Sequence, residues 1–195
     1  MTDKTVDLSL FSWMNPPDEV EVGRDLLEFA TLPNTDFWQR THYGFRRNTG
    51  HAFLTHLWDD FSFAAQADFF YESLYDQCGL FLYIDEENWA KASIEFIDEA
   101  FSRLGSVVTV NGYSDWASTV VDTDLNRMFY RISRRGSDFR LDCCRNGDEY
   151  HQMRIFHMHG DLSIARVGVY ACSPSDSSFK VRFSDFAVGP SAWND

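Results

Sequence analysis

Apolar and polar residues alternate strictly between Tyr75 and Phe96, on both sides of the charged cluster 85–88. A period of two is the period of a β-strand, in which successive side chains point to opposite faces. One face collects apolar residues, and the other collects a mixture of aromatic, amide and charged residues. The apolar set is Cys78, Leu80, Leu82, Ala90, Ala92, Ile94 and Phe96. The pattern therefore predicts a β-hairpin with one apolar face and one mixed face.

The register of this hairpin follows from keeping the two apolar faces together. Pairing Tyr83 with Trp89 achieves this, whereas a slip of one residue would move one strand's apolar residues to the opposite face. The mixed face then carries Gln77, Lys91 and Glu95 in one patch. Such a patch fits two interpretations, a site for a polar ligand or an ordinary solvated sheet face, and periodicity alone favours the second.

Short runs of the same period recur along the chain, separated by turn residues such as those at 48–50 and 146–148. About a dozen strands at this spacing are typical of a sandwich or jelly roll. The first strand is predicted at Leu8–Ser12. The segment 36–45 fits either an extended strand or a single helical turn. Because one domain is typical of 195 residues, we predict that residues 1–195 form a single all-β domain, a two-sheet antiparallel β-sandwich.

Eight segments that together span nearly the whole chain carry a family resemblance. They are NPP (15–17), TDFWQRTHYGF (35–45), YDQCGL (75–80), DEENWAKASIEF (85–96), LGSVVTVNGYSDWA (104–117), YRISRRGSDF (130–139), QMRIFHMH (152–159) and VGVYACSP (167–174). In this order they resemble the DUF1349 or YesU-like family, some members of which are labelled as enolase-regulation proteins. The resemblance implies a concanavalin A-like or galectin-like jelly roll and no assigned biochemical activity.

Charge and composition exclude several classes of function. The formal net charge of −13 would repel nucleic acid, so no nucleic-acid partner is expected. No apolar run is long enough to span a membrane, and the amino terminus lacks a secretion signal. We therefore expect a cytoplasmic protein whose four cysteines are reduced. Most of the 18 phenylalanines are expected to fill the space between the sheets.

Residues of the hairpin and of the following segment form the candidate ligand site. Sugars offer hydroxyl groups to amides, carboxylates and cations, and they offer apolar C–H faces to aromatic rings. The predicted site residues are Gln77, Trp89, Lys91, Glu95, Tyr113, Asp115 and Trp116. The structural alternative is an ion pair from Lys91 to Glu95 or to a neighbouring strand, with the tryptophans in the core.

Catalysis is the less favoured hypothesis. Glycoside hydrolysis needs two carboxyl groups across one cleft, for which the sequence offers Glu95 with Asp115 or Asp76. The Glu-x-Asp-x-x-Glu strand motif of catalytic concanavalin-like proteins is absent. Nucleotide-binding loops are also absent, so no cofactor is expected. His157 and His159 share a strand face, but two ligands do not make a metal site, and none is predicted.

The favoured hypothesis is a non-catalytic module that binds a carbohydrate or a sugar derivative. Trp89 would stack on the sugar, and Gln77, Lys91 and Glu95 would contact its hydroxyl groups. The first alternative is an intracellular regulatory domain with a protein partner, in line with the enolase-regulation label that the resemblance carries. The second alternative is a glycoside hydrolase.

Overall fold

The computed structural model describes residues 4–193 and folds them into two antiparallel sheets. The first sheet consists of β1 (Lys4–Thr5), β3 (Val20–Val22), β4 (Leu26–Ala30), β8 (Ser62–Phe69), β13 (Arg127–Arg135), β14 (Asp138–Cys144), β15 (His151–His157) and β17 (Lys180–Gly189). The second consists of β2 (Ser12–Met14), β7 (His51–His56), β9 (Gln77–Asp85), β10 (Asn88–Phe96), β11 (Ser102–Val110), β12 (Tyr113–Val121) and β16 (Arg166–Cys172). The predicted β-sandwich of jelly-roll type is confirmed.

The order of strands places the predicted hairpin near the middle of the second sheet. The first sheet runs β15-β14-β13-β8-β17-β4-β3, with β1 beside β17, and the second runs β12-β11-β10-β9-β16-β7-β2. Within the hairpin, Tyr83 pairs with Trp89 and Gln77 pairs with Glu95, as predicted. Both β9 and β10 have a hydrogen-bonded strand on each side, so neither is an edge strand of the sheet.

The main core lies between the two sheets. The apolar face of the hairpin supplies Leu80, Leu82 and Ile94, and the opposite sheet supplies large rings such as Phe63 and Phe183. Cys78 is buried in the same core, where it packs as a small apolar side chain. All four cysteines are free thiols.

A second core lies on the other face of the second sheet. A short hairpin, β5 (Phe37–Gln39) and β6 (Arg46–Asn48), crosses this face. Phe37 is fully buried there, with its ring centroid 4.4 Å from that of Phe81 and 6.0 Å from that of Trp89. The hairpin therefore covers part of the mixed face and leaves the remainder open.

Two local predictions, the strand at Leu8–Ser12 and the single strand or helical turn at 36–45, need correction. Leu8–Leu10 forms a 3-10 turn, because the Asp7 side chain accepts a hydrogen bond from the Ser9 amide and caps it. A second 3-10 turn spans Leu162–Ile164. The segment 36–45 is neither one strand nor a helical turn, since it turns back at Arg40–Gly44 to form β5 and β6. The stretch from Tyr113 to Val121 pairs along its whole length with β11.

Candidate functional site

A cleft of about 650 Å³ opens on the part of the mixed face that the β5–β6 hairpin does not cover. Alternate residues of adjacent strands form its floor, and aromatic residues and arginines form its walls. The floor includes Gln77, Lys91, Ser93 and Glu95, and the walls include Trp38, Tyr43, Phe45, Arg47, Tyr75, Arg103 and Trp116. A volume of this size lies within the range of about 300–1,000 Å³ that is usual for small-molecule sites.

The side chain of Gln77 is the centre of a buried hydrogen-bond network. Its Oε1 accepts from Lys91 Nζ at 2.8 Å and from the Tyr170 hydroxyl at 3.0 Å. Its Nε2 donates to Glu95 Oε2 at 3.0 Å and to the Tyr75 carbonyl at 3.1 Å. The amide oxygen thus accepts two hydrogen bonds and the amide nitrogen donates two, which is the full capacity of the side chain. This network holds Lys91 and Glu95 in defined positions in the floor.

Lys91 is almost completely buried and needs a counter-charge. Its Nζ lies 3.6 Å from Asp36 Oδ1, and Asp36 Oδ1 also accepts a hydrogen bond from the Phe37 amide at 2.7 Å. Asp36 immediately precedes β5, so docking the covering hairpin brings this carboxylate to the lysine. A buried ammonium is tolerated when it is paired and hydrogen-bonded in this way. The structural alternative placed this ion pair with Glu95 or with a neighbouring strand; it is instead with Asp36, in the segment that leads into the covering hairpin.

Glu95 combines a half-buried position with an unusual protonation equilibrium. Loss of solvent around the carboxyl group raises its pKa from 4.5 to about 7, and the nearby Asp36 charge acts in the same direction. The positive charges of Lys91 and Arg103 and the hydrogen bond from Gln77 oppose this rise. Within residues 4–193, only Oε2 of Glu95 carries a hydrogen bond. The other oxygen can therefore accept from a ligand, or donate to it when protonated.

Two backbone features shape the cleft. Gly105 lies on the floor strand β11, where an added Cβ would come within 2.8 Å of Trp116 Nε1, so the absence of a side chain lets this indole lie against the sheet. Tyr75 has a φ of 73°, which is rare for a bulky residue. The turn at Tyr75 presents its carbonyl to Gln77 and its ring to the cleft. Strained conformations of this kind concentrate at functional sites.

The cleft contains four of the seven predicted site residues. Gln77, Lys91, Glu95 and Trp116 line it. Trp89 has no exposed surface, because it is buried between the sheet and the covering hairpin, so the prediction that it stacks on a ligand is wrong.

Tyr113 and Asp115 do not line the cleft, because they project from the other face of β12. Asp115 pairs in register with Val108, a residue of the main core, and forms an ion pair with Arg154 of β15. Tyr113 pairs with Val110, and the Arg40 guanidinium lies over its ring. These two residues therefore do not border the site as predicted.

The carboxyl pairs predicted for glycoside hydrolysis do not meet in the cleft. Asp115 lies on the opposite face of the sheet from Glu95, because it pairs in register with Val108, a residue of the core face. Asp76 is fully buried and accepts hydrogen bonds from the backbone amides of Glu72 and Ser73, so it stabilises a turn. The carboxylate that does share the cleft with Glu95 is Asp36, which is bound to Lys91.

Sequence reasoning missed several residues of the site. Asp36, Arg47 and three of the wall aromatics, Trp38, Tyr43 and Phe45, belong to the 36–47 segment, whose folding back could not be inferred from local periodicity. Arg103 was accessible to inference, because the alternation Arg103, Gly105, Val107 continues the mixed face onto β11. Extending the period-two argument by one strand would have found it.

Other candidate chemistry lies outside the cleft. His157 Nδ1 is 2.7 Å from Asp138 Oδ1, and the His157 and His159 rings are in edge contact. Among residues 4–193, no three or more His, Cys, Asp or Glu side chains are grouped to hold a metal ion. In the same part of the chain, no helix is long and apolar enough to cross a membrane.

Comparison with known proteins supports the family resemblance. Residues 13–191 match the family described as a protein of unknown function, DUF1349. The chain belongs to this family. It is 33% identical over 187 residues to "Regulation of enolase protein 1" of Saccharomyces cerevisiae, covering 95% of this chain and 92% of that protein.

Similar solved structures agree with the fold. A functionally unknown protein from Saccharomyces cerevisiae matches with a TM-score of 0.89 and 30% identity, covering 96% of this chain and all of that one. The GH43 protein BlXynB from Bacillus licheniformis matches with a TM-score of 0.68 and 14% identity, covering 98% of this DUF1349 protein but only 38% of the GH43 chain. At that identity the likeness to the GH43 protein concerns the fold alone.

Proposed function

We propose that this DUF1349 protein binds a carbohydrate or a sugar derivative in the cleft on the second sheet. The observation that carries the proposal is the arrangement of a fully connected polar floor beneath aromatic walls. Gln77, Lys91 and Glu95 lie at the bottom, and Trp116 and Tyr75 border the opening. A sugar needs both kinds of surface, because its hydroxyl groups require hydrogen-bond partners and its C–H faces favour aromatic rings.

The floor offers hydrogen-bonding capacity that the protein itself does not use. The Lys91 ammonium has three donors; one is bound to Gln77 Oε1, and Asp36 lies 3.6 Å away as its counter-charge. Glu95 also lines the cleft, and its Oε1 makes no hydrogen bond to residues 4–193. Because the Gln77 network already fixes these groups, binding a ligand there requires little further ordering of side chains.

Trp116 takes the stacking role that the sequence suggested for Trp89. Trp116 is 41% exposed, and its Nε1 lies close to Gly105 at the edge of the floor. The guanidinium of Arg103 lies 5.9 Å from the centre of its ring. The exposed part of the indole is available to the apolar side of a sugar ring.

The test is a glycan array followed by calorimetric titration of the best ligand. Trp116→Ala should weaken binding roughly tenfold or more, because it removes the stacking surface. Trp58→Ala is the matched control, since Trp58 is 64% exposed and does not line the cleft. Unfolding temperatures of both variants should stay near that of the wild type. Equal losses in the two variants, or no glycan bound by the wild type, would contradict the proposal.

A second candidate function is a regulatory protein interaction. The name of the 33% identical yeast relative favours it, as does a pair of exposed, stacked rings at the turn of the covering hairpin. These are Tyr43 and Phe45, 5.6 Å apart. Size-exclusion chromatography of the purified chain with enolase tests this function. A complex that Phe45→Ser disrupts would support it, and two separate elution peaks for the wild type would remove it.

A further inference from the structure

Among residues 4–193, the two arginines at the cleft form no ion pair within 4.0 Å of a carboxylate, although Arg103 lies opposite Glu95 in register. At least seven other arginines of this part of the chain form ion pairs, as expected in a protein with 30 acidic and 17 basic residues. These seven are Arg40, Arg46, Arg127, Arg131, Arg140, Arg154 and Arg182. Within the described residues, Arg47 and Arg103 instead contact aromatic rings, at 5.8 Å from Phe45 and 5.9 Å from Trp116.

The two arginines approach the cleft from different elements. Arg47 belongs to β6 of the covering hairpin, and Arg103 belongs to β11 of the sheet. Arg103 pairs in register with Glu95, and the only side-chain hydrogen bond it makes within residues 4–193 is a long one to the Ser118 hydroxyl at 3.4 Å. A guanidinium that lies over a ring keeps its N–H edge free, and that edge fits a carboxylate or phosphate with two parallel hydrogen bonds.

The other charged groups of the cleft do not compete with an acidic ligand for the two arginines. Lys91 is already compensated by Asp36 and bound to Gln77. Of the two carboxyl groups among the described lining residues, Asp36 is paired with Lys91, and Glu95 lies opposite Arg103 in register. Burial favours the neutral form of Glu95 up to about pH 7. The cleft therefore offers two free guanidinium groups in a protein whose net charge of −13 would otherwise repel an anion.

We infer that the ligand of this cleft is a sugar that carries an acidic group, either a sugar acid or a sugar phosphate. Arg103 and Arg47 bind the acidic group, and the floor and Trp116 contact the sugar ring. This inference rests on the proposed function and adds the chemical class of the ligand. It predicts that acidic sugars bind more tightly than neutral ones, because a neutral sugar has no negative charge to pair with the two guanidinium groups.

The experiment compares neutral and acidic sugars that share one ring. Galactose is titrated against galacturonate, glucose against glucose 6-phosphate, and trigalacturonate against galactotriose. We expect the acidic member of at least one pair to bind at least about tenfold more tightly, since hydrogen bonds between a guanidinium and an anion are stronger than those between neutral groups. The carboxylate and phosphate pairs identify which acidic group is preferred.

Three variants connect this preference to the two arginines. Arg103→Gln and Arg47→Gln should each reduce the ratio of acidic-sugar affinity to neutral-sugar affinity roughly tenfold. Arg24→Gln is the matched control, because it removes the same charge from an exposed turn between β3 and β4 in the other sheet. An equal loss in the control would mean that overall charge, not the site, attracts the anion, and would overturn the inference.

The outcomes separate this inference from the proposed function. Equal affinity for neutral and acidic sugars, insensitive to both arginine variants, would overturn the inference and leave the sugar-binding proposal intact. Failure of every sugar to bind the wild type would overturn both. A preference for the acidic member that is lost in Arg103→Gln and kept in Arg24→Gln is the result that supports the inference.

Discussion

Two halves of one sheet face have opposite characters, although the same strands build both. In one half, Phe81 and Trp89 are buried beneath Phe37 of the covering hairpin. In the other half, Lys91 and Glu95 form the floor of an open cleft. Trp89 and Lys91 are two residues apart on β10 and point the same way. The comparison shows that strand periodicity assigns a side chain to a face, whereas the covering segment determines whether that face is core or site.

The free energy of unfolding should depend more on side chains in the covered half than on side chains in the open half. Phe37→Ala removes a fully buried ring that contacts Phe81, Trp89 and Tyr170. We expect a loss of about 3–5 kcal/mol in the free energy of unfolding, measured by urea denaturation. Phe70→Ala is the control, because that ring is 70% exposed and its removal should change stability by less than about 0.5 kcal/mol. Similar effects of the two changes would show that the hairpin does not form a core with the sheet.

Lys91, which lies at the boundary between the two halves, should also contribute to the free energy of unfolding. Lys91→Ala leaves Asp36 without its cation and removes one donor to Gln77, so we expect a loss of about 2–4 kcal/mol by the same measurement. The almost complete burial of Lys91 is the reason that a loss of stability is expected.

A double variant sharpens the assignment of this ion pair. Adding Asp36→Asn to Lys91→Ala should recover part of the lost stability, because the unpaired carboxylate is then neutral. If the two single losses simply add in the double variant, Lys91 and Asp36 do not interact.

The open half should show a smaller, pH-dependent effect at Glu95. The pKa of Glu95 is about 7 in the folded chain and near 4.5 in the unfolded chain, so the folded state holds an extra proton between those values. Stability from this group is therefore present below pH 4.5, falls as pH rises through the window, and is lost above about pH 7. The full shift corresponds to roughly 3 kcal/mol, which water in the cleft reduces to about 1–2 kcal/mol.

Glu95→Gln provides the comparison for this pH dependence. The variant cannot titrate at position 95, so its stability relative to the wild type should rise between about pH 4.5 and 7. The other groups near this carboxyl, which are Lys91, Asp36, Arg103 and the Cys172 thiol, are present in both proteins. A stability difference that is constant across this range would show that Glu95 ionises normally.

Local pattern and family resemblance together determined much of the fold. The alternation in 75–96 predicted the hairpin and its register, because the two apolar faces can share one core in only one pairing. The same alternation placed Gln77, Lys91 and Glu95 on one face, and all three line the cleft. These results depend only on the geometry of a strand and its immediate partner.

Only the tertiary structure decided which of those residues a ligand can reach. Trp89 is inaccessible because the β5–β6 hairpin, about 40 residues earlier in the chain, folds over it. Asp36 and Arg47 enter the site through the same long-range packing. Asp115 and Trp116 are separated because they lie on opposite faces of β12, a strand that pairing with β11 reveals. The period of a strand is local, but covering a sheet face depends on contacts between distant segments, which no local pattern encodes.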